Sequence, residues 1–410
     1  MANSQGSVVI TPESLAQSFK KFRQELLTMP LFALAELLQY VTVRTGLRNS
    51  ETVGQLSGDM QMAPYKPQRH DTNDVSIVGR TLQVYFGNVV KSFDPNSVVD
   101  SIYGSSITKG EGLKNVPITK QVCAYLMKKM GEHLFEEMFT AERDATGDTT
   151  HDLFDGWKTI AQKEINKGDI SLAKKNLQVF SSITVENAED KFKEFFWGAN
   201  AKLRGQNTNL LCSPLLYHYY TEAYQYNHGA LPYNQGYEKA FIEGSQNKCR
   251  IAPVANVPDD FLCLSPKSNL LIGCNLKGEE EKLDVVKSLS SHFWLDFVAT
   301  MFWGCEFETI SPEMLQIGMV IADSMSVGES TKSVAIGANA DITISNAVGV
   351  VTATVTGDAA EDITATVASD MKKVNIAVAA TGTATETAVV KLTDGAGRTA
   401  SVTVTVAAAS

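Results

Sequence analysis

Hydrophobic and polar positions follow two rhythms along this 410-residue chain: helical steps of three and four recur over roughly the first three quarters, and a period of two takes over near residue 330. Thr11-Pro12-Glu13 places a capping hydroxyl ahead of a proline at the first helical position. Apolar residues at Leu15, Phe19, Phe22 and Leu26 then predict an amphipathic helix ending near Pro30. A second helix is expected over Leu31–Arg44, stopping at Gly46. Asn49–Pro67 is polar, carries Gly, Ser and Pro, and reads as a long exposed excursion. Val75–Val78, Thr81–Phe86 and Val89–Phe93 are β-rich and interrupted by Gly79 and Gly87, which predicts a hairpin.

The strongest helical signal is Ile118–Arg143, where Val122, Leu126, Met130, Leu134 and Met138 step by four and Tyr125, Met127, Phe135 and Phe139 widen the stripe. At 1.5 Å per residue it would run roughly 37 Å. A polar loop, Asp144–Asp152, precedes LFDGW (Leu153–Trp157), which opens another helix. Val185–Trp197 is helical again, and Cys212–Tyr224 starts from a Ser-Pro cap. Cys249–Leu276 alternates short β-type segments with Pro and Asn turns; Val285–Met301 is β-capable, Trp303–Thr309 resembles a strand and Ser311–Leu315 a short cap. The first 325 residues are therefore mixed α+β without βαβ alternation, which argues against a doubly wound nucleotide-binding sheet.

The end of the chain differs in kind. Val334–Ile336, Asp341–Ser345, Gly349–Thr356, Ile363–Val367, Val374–Ala379, Ala388–Leu392 and Ala400–Val406 are short, β-branched and period-two, separated by Gly, Asn and Asp. That many strands at such spacing is the pattern of a β-sandwich. All four Trp, twelve Tyr and eighteen Phe lie at or before Phe307; the last Cys is Cys305, the last His is His292 and the last Pro is Pro312. A sandwich built from what remains must have a core of small aliphatic side chains and modest stability. Two kinds of polypeptide are joined.

Charge and compartment narrow the field. A net charge of −10, from 36 Lys and Arg against 46 Asp and Glu, disfavours a dedicated nucleic-acid binder. The N-terminal MANSQGSVVITPES lacks the basic and apolar regions of a secretory signal, and the greasiest run, Leu31–Val43, is too short to span a bilayer. The six cysteines, at 123, 212, 249, 263, 274 and 305, are scattered singly among hydrophobic neighbours and read as free, buried thiols of a protein made in a reducing cytosol.

Each candidate for chemistry has a plainer reading. The Gly104–Gly110 stretch has Lys109 ahead of its second glycine and no feeding strand, unlike a P-loop. His133 is followed by Leu134, and Glu137 sits one turn on, so a zinc-protease pair is missing. Asp144, Asp148, Asp152 and Asp155 do not match the EF-hand spacing and suit a solvated turn. Cys249, Cys263 and Cys274 are too widely spaced for a structural zinc site. Ser213 precedes Pro and lacks the GxSxG elbow, so it suits a helix cap. Tyr217, Tyr219, Tyr220, Tyr224 and Tyr226 could form a sugar-stacking platform but suit packing or subunit contacts better. The sequence thus assigns no catalytic, cofactor-binding or metal-ligating residue and no cofactor, and points to a structural protein rather than an enzyme.

Taken in order, the elements resemble the major capsid protein of a tailed bacteriophage, the Hong Kong 97 capsid fold, over roughly residues 10–325. The β-rich Val75–Phe93 after an exposed excursion is similar to that family's extended loop, and Ile118–Arg143 to its spine helix. LFDGW is similar to its FDG segment. TVENAEDKF (Thr184–Phe192) followed by NTNLLCSPLLYHYY (Asn207–Tyr220) resembles its axial and peripheral passage, and FWLDFVATMFWGCEFETISPEML (Phe293–Leu315) its closing strand with a terminal P-E. Residues 331–410, above all TETAVVKLTDGAGRTASVTVTV (Thr385–Val406), resemble bacterial Ig-like domains.

The resemblance implies an N-terminal arm and helices over 1–48, an extended loop or hairpin over 49–95, peripheral and axial domains over 96–328 with the spine helix at 118–143, and an Ig-like sandwich over 331–410. It implies a virion protein made in the bacterial host cytoplasm, assembling as a homo-oligomer into hexamers and pentamers of an icosahedral head around double-stranded DNA. The Ig-like domain would be displayed outside, open to a glycan or host-surface contact. Partners would be a separate scaffolding protein, a portal and decoration proteins, with non-specific DNA contact on a basic inner face and no membrane. No cross-linking residue or maturation cleavage is assigned. Other readings are a bacterial surface or adhesion protein with a glycan-binding Ig-like module, an enzyme carrying such a module, and a tail-tube or decoration protein.

Overall fold

The computed structural model describes residues 34–57, 64–65, 67, 76–93, 118–229, 240–275, 283–288, 294–321 and 324–408. The helix expected before Pro30 and the Gly104–Gly110 stretch lie outside these residues. The chain forms two compact units, Met1–Trp157 with Leu270–Glu308, and Lys158–Asn269 with Thr309–Ser410.

In chain order the first unit supplies α1 (Ala35–Leu38), β1 (Thr42–Thr45), β2 (Ser50–Ser57), β3 (Ser76–Gln83), β4 (Tyr85–Phe93) and α2 (Ile118–Glu137). Then come α3 (Trp157–Lys167), β5 (Leu177–Phe180), α4 (Ala188–Gly198), α5 (Ala201–Gly205), β6 (Thr208–Cys212), α6 (Pro214–His228), β7 (Cys249–Pro253) and β8 (Phe261–Ser265). The chain returns to the first unit for β9 (Leu270–Cys274), β10 (Leu283–Lys287) and β11 (Leu295–Phe307), and crosses back for β12 (Gln316–Val320). It ends in β13 (Ser326–Val327), β14 (Thr331–Ala335), β15 (Asn339–Ser345), β16 (Thr352–Gly357), β17 (Ile363–Val367), β18 (Lys373–Val378), β19 (Thr387–Thr393) and β20 (Thr399–Ala407).

The first unit is a helix on a sheet. β11 pairs antiparallel with β10, β4 and β9, and β1 lies parallel to β9. Alternation along β11 is strict: Leu295, Phe297, Ala299, Met301 and Trp303 are buried, while the residues between them are half-exposed. Cys123 and Met127 of α2 pack with Leu283, Val285, Leu295, Phe297 and Ala299.

Three expectations about this unit need correction. Leu31–Arg44 is not one helix: Tyr40 N–H bonds to the Leu37 carbonyl and closes α1, and the β-branched Thr42-Val43 enters the sheet as β1. The excursion from Asn49 begins as a strand, β2, paired antiparallel with β3. Gly79 and Gly87 do not mark a hairpin within Val75–Phe93; β3 and β4 run on through both glycines and pair with different strands, β2 and β11.

The helix expected to reach Arg143 ends at Glu137, and the FDG turn takes up carbonyls just beyond it. Trp157 N–H donates to Met138 O at 3.1 Å and Gly156 N–H to Ala141 O at 2.8 Å. Arg143 N–H donates to the Asp155 carboxylate at 2.9 Å. A Cβ on Gly156 would lie 2.5 Å from the Phe139 carbonyl carbon, so only glycine admits this approach. Trp157 then starts α3, with its ring 5.3 Å from that of Phe139 and its indole N–H on Glu306 O at 3.3 Å.

The second unit holds a five-stranded sheet, β5-β12-β8-β6-β7, with α4 and α6 against it. Phe192, Phe195 and Phe196 are buried with Tyr220 and Leu216, and Ser213 caps α6 by accepting from Leu216 N–H at 3.2 Å. Two four-stranded sheets, β13-β15-β18-β17 and β14-β20-β19-β16, complete the unit. Their shared core is Val, Ile, Leu, Ala and Met alone. Each of the seven strands expected after residue 330 is present, with β14 and β20 parallel and the remaining pairs antiparallel.

Candidate assembly surface

Two features of the first unit stand out on its surface. One is the β2–β3 ribbon, which pairs with no other strand among the described residues. Its root is fixed where β3 passes into β4. Val84 N–H donates to Asn49 O at 2.9 Å, and the Val84 side chain is buried. Gly273 and Gly304 are register partners on β9 and β11 and together form the seat beneath it. A Cβ on Gly304 would fall 2.1 Å from Gln83 O, and one on Gly273 would fall 2.6 Å from a Val84 methyl. Beside this seat Arg80 of β3 pairs with Glu306 of β11 at 3.0 Å, with both side chains largely shielded. Glu306 also accepts from Phe307 N–H at 2.9 Å, which fixes the carboxylate against the backbone.

The other feature is the sheet face turned away from α2. Phe86, Asn88, Val90 and Ser92 alternate onto it from β4, opposite Phe302, Thr300, Val298 and Asp296 of β11. Phe86 and Val90 are 54% and 52% exposed, and Trp294 just before β11 is 46% exposed. Phe86 and Phe302 contact each other with ring centroids 4.8 Å apart. Apolar and polar side chains thus alternate along this open part of the sheet. Sequence reading missed it because Gly87 was taken as a break; the period-two series from Phe86 to Ser92 carries the signal once the strand is continued through the glycine.

The second unit carries its own exposed aromatic groups. Trp197 at the end of α4 is covered on one side by the Arg204 guanidinium, 5.1 Å from its ring. Of the tyrosines of α6, Tyr220 is buried and its hydroxyl accepts from Glu243 N–H at 3.2 Å, whereas Tyr226 is 86% exposed. The cluster therefore divides between packing and surface, and forms no single platform. Glu189 lies buried below it. Burial raises its pKa, but hydrogen bonds from Lys193, Asn227 and His228 outweigh that and hold it at about 2.

The residues considered for chemistry fall elsewhere. Asp144 accepts from the Thr146 N–H and hydroxyl, Asp152 from those of Thr149, and both carboxyls are held below the usual range by these bonds. Asp155 is committed to the Arg143 backbone. His133 lies 3.3 Å from Glu136 on an exposed helix face. All six cysteines are buried thiols, and burial pushes those of Cys123 and Cys249 up to about 12. Such thiols are poor nucleophiles. Among the described residues no group of three or more His, Cys, Asp or Glu is placed to hold a metal ion. No described helix is long and apolar enough to cross a membrane.

No family model matches the chain, and no curated protein matches it. Among solved structures it is similar to the satellite phage P4 procapsid that includes the size-determination protein, at 10% identity and TM-score 0.48, over 73% of this chain and 100% of that one. It is similar to the capsid of the native GTA particle at 11% identity and TM-score 0.46, over 70% and 90%. It is also similar to the holo-SrpI encapsulin complex of Synechococcus elongatus at 10% identity and TM-score 0.41, over 70% and 88%.

Proposed function

We propose that the chain is a structural, shell-forming subunit of a phage-type capsid rather than an enzyme. The observation that carries this reading is the first unit's pairing of a two-stranded ribbon, seated on two glycines, with an uncovered sheet face bearing Phe86, Val90 and Trp294. The ribbon packs on the first unit at its root, through Val53 and Leu82 against Leu271, but its strands add no partner beyond each other among the described residues, and an exposed apolar face costs solubility. Neighbouring copies in a ring supply partners for both. The order of sequence motifs supports the same reading.

In that arrangement the subunits form hexamers and pentamers of an icosahedral head enclosing double-stranded DNA, within a virion made in the bacterial cytoplasm. Residues 1–48 act as the arm, 49–95 as the extended loop and 96–328 as the peripheral and axial domains. Residues 331–410 form the Ig-like module carried outside, available for a glycan or host surface. A scaffolding protein, a portal and decoration proteins are the expected partners, and basic residues concentrate on the DNA-facing side.

Negative-stain microscopy and light scattering of the expressed full chain test this. Shells, sheets or ring-shaped capsomers are expected, and a chain truncated after residue 323 should still assemble. A Phe86→Asp, Val90→Asp double variant should remain folded but stay monomeric. A wild-type chain that is strictly monomeric at all concentrations overturns the proposal.

A further inference from the structure

The terminal sandwich meets the rest of its own unit through more than the connecting chain. One end of it carries two turns, residues 346–350 between β15 and β16 and residues 394–398 between β19 and β20. The Asp394 carboxylate is wholly buried where they join. It accepts from Val348 N–H at 3.1 Å, from Ala396 N–H at 2.9 Å and from Arg398 N–H at 2.8 Å. The Arg398 guanidinium adds bonds from Nε at 3.0 Å and Nη2 at 2.9 Å. Arg398 Nη2 also donates to Asn346 O, and Gly395 N–H donates to Val348 O at 2.8 Å. A buried carboxylate so fully satisfied holds both turns in one geometry.

This doubled turn lies against the C-terminal end of α3. A Cβ on Gly349 would stand 3.5 Å from an Ile165 methyl, 3.6 Å from Ile165 O and 3.6 Å from Gly395 Cα. A Cβ on Gly168 would stand 3.3 Å from a Val350 methyl. Ile165 is wholly buried and Val348 almost so. Gly168 closes α3 with φ +81°, its N–H returning to Ile165 O at 3.0 Å, which turns the chain away and leaves room for Val350. Gly349, at φ +70°, does the same on the sandwich side. Backbone thus approaches backbone, with glycine where a side chain would hold the surfaces apart.

We propose that these turns clasp the sandwich to α3, so that it is a fixed part of the second unit and not an appendage swinging on its linker. Ile165, Gly168, Gly349 and Val350 form the seat, and Asp394 with Arg398 holds the seated turns in shape. Any partner of the sandwich would then meet it in one orientation to its unit, with the ordering cost already met. The clasp lies within the second unit alone and holds whether or not the chain builds shells.

The test places one dye on the full chain through Thr364→Cys, an exposed strand position of the sandwich. The native cysteines are buried and leave the label to the new thiol. Time-resolved anisotropy then reports whether the sandwich tumbles by itself. A free sandwich, residues 324–408 of 410, would tumble about fivefold faster than the whole chain. The wild-type background should lack that fast component. Val350→Asp, which puts a charge into the seat, should introduce it. Val389→Asp alters an equally exposed valine, 38% in both cases, on β19 and should not. Circular dichroism checks that each variant is folded; Ile165→Ala replaces Val350→Asp if the latter melts early. A fast component already present without a seat substitution overturns the proposal. So does equal behaviour of the Val350 and Val389 variants, or a decay that neither seat variant changes.

Discussion

The core of the first unit and the core of the terminal sandwich solve one problem with opposite materials. In the first unit a few large side chains, Trp157, Trp303, Phe139, Phe154, Phe297 and Phe307, are wholly or almost wholly buried. Each aromatic buries 150–250 Å² in general, so each ties several elements together. The sandwich uses many Val, Ile, Leu and Ala side chains of similar size, none of them aromatic. Its stability is spread over small, nearly interchangeable contributions of about 1.5–3 kcal/mol per large aliphatic. Damage should therefore be abrupt in the first unit and graded in the sandwich.

The largest effect is expected at the FDG turn. Gly156→Ala drives a methyl into the backbone of Phe139 and Thr140, and should cost more than about 4 kcal/mol, seen as loss of soluble, cooperatively folding protein in urea titrations. Val390→Ala removes two methyls from the sandwich core. It should lower only the sandwich transition in calorimetry, by about 2 kcal/mol, and leave the remainder of the trace in place. If both transitions fell together, the two cores would not be independent.

The smallest effect belongs to pH. Glu189 is held at about 2 in the folded chain against an ordinary 4.5. The stability this provides is present above pH 4.5 and is lost as pH falls from there toward 2. It should amount to about 1–2 kcal/mol, allowing for the partly solvated Lys193 and His228. Melting curves between pH 6 and pH 3 should show the loss, and Glu189→Gln should flatten it. The sandwich transition should not follow that residue.

How far the sequence could be read depended on how much of each pattern was local. The sandwich strands were legible because β15, β18, β19 and β20 bury every second residue and turn at Gly, Asn or Asp. The Ser213 cap and the start of α3 at Trp157 were legible for the same reason. Leu31–Arg44 misled because a short apolar run suits a helix as well as a buried strand, and pairing with β9 decided it. Gly79 and Gly87 were read as turns, yet each sits inside a strand where a neighbour, Thr52 or Leu153, comes close. The carbonyls just beyond α2 are taken up by residues that follow it by nearly twenty positions, which no helical period reveals. The exposed sheet face was not legible, since it exists only once β4 lies against β11.

The double-glycine seat under Val84 has a mechanical meaning. β2 and β3 are eight residues each, an arm of about 26 Å at 3.3 Å per residue. A rotation of about 10° at the seat would carry the far end through roughly 4–5 Å over that length, about one strand spacing. Two missing methyls at the pivot thus set the aim of everything further out. A methyl added at Gly273 or Gly304 would have to displace the passage from β3 to β4, and with it the direction in which the ribbon leaves the sheet.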